Sequence, residues 1–200
     1  MNKNILLKSI VVLSIAYLFL VTINKSYATF RSTDYTVNKF TTADLKGEIE
    51  EEFPDDIKNW DDPLTKEVRF SNTGTIGMML RVNYLENWSN VDNLGNTIYL
   101  SNIINGEEVA IKNWTPFWTN EWTLGNDGWY YYNFILEPGK DTQTILDSVG
   151  FNKKFETEYK EAKYNLTFNM EYVNADYNAV KEVFGMNANI LEDGRIEWTN

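Results

Sequence analysis

The chain has 200 residues, a formal net charge of −11 and neither histidine nor cysteine, a length that suits one domain once targeting segments are set aside. The two absences exclude disulfides, thiolate zinc sites, Ser-His-Asp and Cys-His catalysis and HExxH zinc proteases. Aromatic residues make up 15%, with 7 Trp, 12 Tyr and 11 Phe, which is ample core material with a bias toward pleated surfaces.

Residues 1–28 read as a secretory signal peptide. Lys3 and Lys8 make a positive start, Ile10 to Ile23 is an apolar run, and Ser26-Tyr27-Ala28 sets small residues at −3 and −1 of a cleavage site. The run is short for a spanning helix, which needs about 20 residues; an uncleaved anchor is the competing reading. Cleavage between Ala28 and Thr29 leaves a body at −14, since the first 28 residues hold three lysines and no acid. Such a body is a poor partner for nucleic acid or an anionic membrane. Residues 29–43 form the new N-terminus, a strand-like leader rich in Thr and aromatic residues, with Tyr35, Val37 and Lys39 on one side when extended.

The remaining residues, 44–200, carry the domain. A strand is expected near Leu45, followed by an acidic loop through Pro54 and Pro63. A calcium site among Asp55, Asp56, Asp61 and Asp62 competes with a simply solvated loop. Any metal here must be held by oxygen, and no EF-hand loop is visible, so no metal or cofactor is assigned. In the stretch from Lys66 to Tyr84, Val68 and Phe70 alternate with Glu67 and Arg69. Beyond a turn at residues 71–77, Met78, Leu80, Val82 and Tyr84 share a face. Two amphipathic strands around a corner marked by Gly74 and Gly77, both free to take positive φ, begin an antiparallel structure.

Further strands are expected at Ile98 to Ile104, with a hairpin at Asn105-Gly106, and at Trp129 to Leu136, Thr144 to Val149 and Lys163 to Tyr172. Trp114, Trp118 and Trp122 are spaced by four, and Pro116 argues against a long helix there. One short helix is expected, capped by Asn174 or Asp176, with Ala179, Val180, Val183 and Phe184 as its stripe and Gly185 as its stop. Ile196 and Trp198 share a parity after the turn at Asp193-Gly194. Short alternating runs divided by turns predict an all-β, jelly-roll-like antiparallel β-sandwich with one or two short helices.

The residues Tyr27-Ala28-Thr29-Phe30, Asn38-Lys39-Phe40-Thr41 and the run KEVRFSNTGTIGMMLRV resemble the TasA/camelysin family of exported Gram-positive proteins. Gly128-Trp129-Tyr130-Tyr131-Tyr132, Ile135-Leu136-Glu137-Pro138-Gly139, Leu146-Asp147-Ser148-Val149, Ala162-Lys163-Tyr164 and the helix near residues 175–185 are similar to its clostridial branch, the alternate-signal exported proteins of the BsaA type. The resemblance spans the mature chain except its middle, residues 87–120. It implies processing by a SipW-type signal peptidase, a jelly roll, and a secreted fibre or pilus subunit of a biofilm matrix at the cell surface. Assembly would be head to tail with other copies of the chain. A matrix polysaccharide is a further partner consistent with that setting.

In this reading the freed leader, with Phe30, Tyr35, Val37 and Phe40, is the donor strand that completes a neighbour's sheet. The competing reading makes it a first strand of its own subunit. Related fibre proteins also carry Lys-Asn isopeptide crosslinks. That chemistry needs a lysine neutralised by burial and a carboxylic acid to shuttle the proton. Lys39 is the candidate nucleophile, against the ordinary fate of a snorkelling lysine. Two other functions compete. One is a monomeric glycan-binding module using Trp114, Trp118 and Trp122, which core packing would equally explain. The other is a camelysin-like protease, for which only Ser-Lys or paired carboxylates remain, and Ser148 has no lysine at a motif spacing. The reading taken is a structural protein without catalytic residues.

Overall fold

The computed structural model describes residues 44–52 and 60–200. Strand β2 (Leu64–Asn72) and strand β3 (Met78–Val91) flank the expected corner. Asn72, 1% exposed, organises it: its Nδ2 donates to the carbonyls of Ile76 at 2.8 Å and Leu136 at 2.7 Å, and its Oδ1 accepts from the Gly74 amide at 3.0 Å. A buried amide with its capacity filled in this way rigidifies a turn. Gly74 and Gly77 are not among the positive-φ glycines of the described residues, which corrects the expectation above. Gly74 is needed for close approach instead, because its backbone packs against the carbonyl of Asp44 with no room for a Cβ.

The first sheet runs β1 (Gly47–Glu52), β2, β10 (Leu146–Phe151) and β7 (Ala110–Trp114), every pair antiparallel. The second runs β11 (Lys163–Asn174), β3, β9 (Tyr130–Tyr132) and β8 (Trp122–Leu124). Strand β4 (Thr97–Leu100) joins the far end of β3. β11 pairs with β3 along its whole length, from Lys163 opposite Ser89 to Asn174 opposite Met78. Inward residues of the two sheets, Val68, Phe70, Leu146 and Val149 against Leu80, Val82, Phe168 and Tyr172, share one core. This is the expected all-β sandwich.

Element bounds shift where side chains lack a partner strand. Of the run Trp129 to Leu136 only Tyr130–Tyr132 is strand, with Leu136 bridging to Met78. The expected strand at Thr144 begins two residues later, and Ile98 to Ile104 splits into β4 and a short β5 (Ile103–Ile104) paired with β6 (Glu107–Glu108). Pro116–Asn120 forms a five-residue helix, α1, Pro being acceptable in a first turn. A second helical turn, α2 (Glu156–Tyr159), follows a 3₁₀ turn at Lys153–Phe155.

Helix α3 (Tyr177–Phe184) takes the expected bounds: Asp176 accepts from the amides of Asn178 at 2.9 Å and Ala179 at 3.1 Å, and Gly185 ends it at φ 70°. Asp176→Ala is expected to cost about 1 kcal/mol, the worth of a side-chain N-cap, seen as a lower urea midpoint at unchanged slope. α3 and the hairpin of β12 (Asn187–Ile190) and β13 (Ile196–Thr199) build a second core on the outer face of the β11–β3 sheet. There Val180, Phe184, Ile196 and Trp198 meet Met79, Tyr131 and Val173.

Arg81 clamps this layer. Its guanidinium binds Glu171 at 2.7 Å, Asp127 at 3.0 Å and the Tyr131 hydroxyl at 3.0 Å, and lies 4.6 Å from the Trp129 ring centre and 4.7 Å from that of Phe184. Planar charge, fork geometry and stacking together make arginine the residue for this place. Burial, with the bond to Asp127, pushes the Tyr131 phenol up to about 12.

Candidate functional site

Two strands of the sandwich end their sheets without a further described partner on one flank. They are β1 in the first sheet and β11 in the second. They lie against each other at one point: a Cβ on Gly47 would stand 2.8 Å from Met170 Cε and 2.9 Å from Tyr172 Cε1. β11 is twelve residues long, with Tyr164, Leu166, Phe168, Met170 and Tyr172 turned inward and buried. An unpartnered edge of that length presents backbone donors and acceptors to another chain.

β1 is an acidic edge. Glu48, Glu50, Glu51 and Glu52 stand on it, Arg69 bonds Glu50 through Nε at 2.6 Å, and Lys46 bonds Glu48 at 2.6 Å. Lys46, hydrogen-bonded to Glu48, holds that carboxyl below its usual range. A cavity of about 360 Å³ beside this edge is lined by Ile49, Glu50, Glu51, Glu67 and Arg69.

Two buried ion pairs inside the sandwich were not singled out from the sequence. Lys66 is 2% exposed and bonds Glu51 Oε2 at 2.8 Å. Lys112 on β7 bonds Glu86 Oε2 on β3 at 2.8 Å, crossing between the sheets, while Glu86 Oε1 accepts from the Tyr164 hydroxyl at 3.3 Å. Burial, reinforced by the Glu86 charge, pushes the Tyr164 phenol upward. The signal was parity. Lys66 shares its face with Val68 and Phe70, Lys112 with Ala110 and Trp114, and Glu86 with Tyr84 and Trp88. A strand's period of two places all nine on the inward side.

The donor residues Phe30, Tyr35, Val37 and Phe40, the cleavage pair Ala28 and Thr29, and Lys39 lie outside the described residues, as do Asp55 and Asp56. Among the described residues no group of three or more acidic side chains could hold a metal ion. No described helix is long and apolar enough to cross a membrane.

The tryptophans spaced by four are packing residues. Trp114 at the end of β7, Trp118 in α1 and Trp122 at the start of β8 form a ladder with ring centres 4.9 and 5.6 Å apart. Trp118 and Trp122 are buried, and Trp114 packs against the same core, so this trio presents no open stacking platform for a sugar. Ser148 accepts a hydrogen bond from Asn113 Nδ2 at 2.9 Å. Family models, curated proteins and solved structures were all compared with the chain, and none of them matches it.

Proposed function

We propose that the chain is a secreted structural subunit of extracellular fibres, exported by its N-terminal signal and joined head to tail by donation of residues 29–43. The observation that carries this reading is the flank where β1 and β11 both end their sheets, β11 with twelve residues. The leader is of similar length, and a strand laid along β11 satisfies the open backbone groups of that edge. Charge favours the same contact. The leader holds Arg31 and Lys39 against one acid, Asp34, and β1 holds four glutamates. Because the leader of one copy fills the edge of the next, the contact is heterologous and builds an open chain rather than a ring. An anchored signal would withhold the leader, so cleavage after Ala28 by a SipW-type peptidase is the trigger in this scheme.

The test compares protein beginning at Thr29 with protein beginning at Asp44 by negative-stain microscopy, both first checked for matching circular dichroism. The longer form is expected to give fibres and the shorter to stay monomeric. An excess of synthetic peptide 29–42 should cap growth of the longer form. Fibres from both proteins, or from neither, defeat the mechanism.

A further inference from the structure

The outer face of the β11–β3 sheet divides in two. From Arg81 and Glu171 toward Met78 and Asn174 it is covered by α3 and the β12–β13 hairpin. From Asn83 to Val91 no described element packs over it. The exposed half consists of rungs fixed by the β11–β3 register: Asn83 with Asn169, Leu85 with Thr167, Asn87 with Asn165. Leu85 is 63% exposed. The next rung carries Lys163 and Ser89, and Tyr99 on β4 stands opposite Ser89, 75% exposed. At the other end, the β3–β9 register puts Tyr130 opposite Val82 and Tyr131 opposite Arg81. Continuing it sets Trp129 beside Asn83. The strip from Asn83 to Val91 is roughly 25 Å long at about 3.3 Å per residue.

Its composition departs from the rest of the molecule. The chain carries 29 acidic side chains, yet no carboxylate points outward on these rungs, and Lys163 is the one charge, at the far end. Glu86, in the middle of β3, is turned inward to Lys112. A solvent-facing sheet in a protein of this charge would ordinarily carry acids and bases in alternation.

The amides are also preorganised. Asn169 Nδ2 donates to Asn83 Oδ1 at 2.8 Å, and Asn165 Nδ2 donates to Asn87 Oδ1 at 3.2 Å. Each pair uses one donor and one acceptor. Every asparagine therefore keeps further N–H and C=O capacity facing outward, with its rotamer already held by its neighbour. A rigid amide row ended by an exposed tyrosine suits a ligand with alternating hydroxyl and C–H faces.

We propose that this face is a binding platform for a neutral polysaccharide, with the paired asparagines bonding sugar hydroxyls and Tyr99 stacking on a ring face. Charge selects the ligand: a body this acidic repels a polyanion, and the single lysine of the strip does not reverse that. The proposal stands apart from strand donation, which uses the β1–β11 flank, and fails or holds independently of it. It moves the sugar-facing surface away from the buried tryptophan ladder.

The experiment is co-sedimentation of protein beginning at Thr29, kept from pelleting as fibres by excess peptide 29–42 and spun without polymer as the blank, with cellulose, chitin and an insoluble β-1,3-glucan, and with polygalacturonate gel as the anionic control. Retention on at least one neutral polymer and none on polygalacturonate is expected. Tyr99→Ala and Asn87→Asp, both on the surface, should each weaken retention about tenfold with unchanged thermal unfolding. Absence of binding to all three neutral polymers, equal binding to the anionic gel, or retention indifferent to both substitutions overturns the platform. So does sedimentation velocity in which Asn87→Asp dissolves a dimer, since the face would then belong to a second copy of the chain.

Discussion

Trp88→Ala is expected to lower the free energy of unfolding by about 3–5 kcal/mol, the range for truncating a large buried aromatic. Trp88 is fully buried on β3, and four rings surround it: Trp60 at 5.8 Å, Phe151 at 5.4 Å, Tyr159 at 5.1 Å and Tyr164 at 4.9 Å between centres. Those rings come from both sheets, from α2 and from the bend before β2, so the hole left by alanine cannot be closed by moving one element. The indole Nε1 has no hydrogen-bond partner, and Trp88→Phe removes that unpaired donor along with some volume. Phenylalanine should therefore cost below about 1.5 kcal/mol, as near-conserving core exchanges do. Urea unfolding followed by fluorescence and circular dichroism separates the two. An alanine variant no weaker than the phenylalanine one would show that this end of the sandwich is loosely packed.

Glu86→Leu is the second large effect, expected at about 3–5 kcal/mol because it strands the Lys112 ammonium between the sheets. The side chain of Lys112 is 5% exposed and that of Glu86 12%, and the remaining carboxylate, Glu108, lies at 3.5 Å and is half exposed. Glu108 softens the loss without replacing a 2.8 Å partner. The double variant Glu86→Leu with Lys112→Met removes both charges while keeping apolar volume, and should recover most of the stability. The comparison is internal: a single variant that is no less stable than the double contradicts the picture of an uncompensated buried charge. Fibre formation by the double variant, if the strand-donation reading holds, should persist, since neither residue lies on β1 or β11.

Several features were legible in the residues before any coordinates. Alternation in Lys163 to Tyr172 marks β11 because buried aromatic and aliphatic groups recur at every second position. Asp176 and Gly185 bracket α3 because a cap needs a side-chain acceptor at one end and a left-handed residue at the other. The corner at residues 71–77 was legible as a turn, although its glycine serves close approach and not positive φ. The tryptophans at 114, 118 and 122 were ambiguous, since a spacing of four fits either a helix face or a strand face. In the fold one lies on a strand, one on a helix and one on a second strand, and only their stacking unites them.

By itself, then, the amino-acid order determined an acidic, histidine-free β protein: period, composition and turn residues are local properties, readable within a few positions. The three-dimensional arrangement decided which edges end without a described partner, which charges are buried in pairs and which outer face no described element covers. Those are relations between segments such as β1 and β11, more than a hundred positions apart. Period two says which side chains share a face, and only the packing of distant strands says what that face meets.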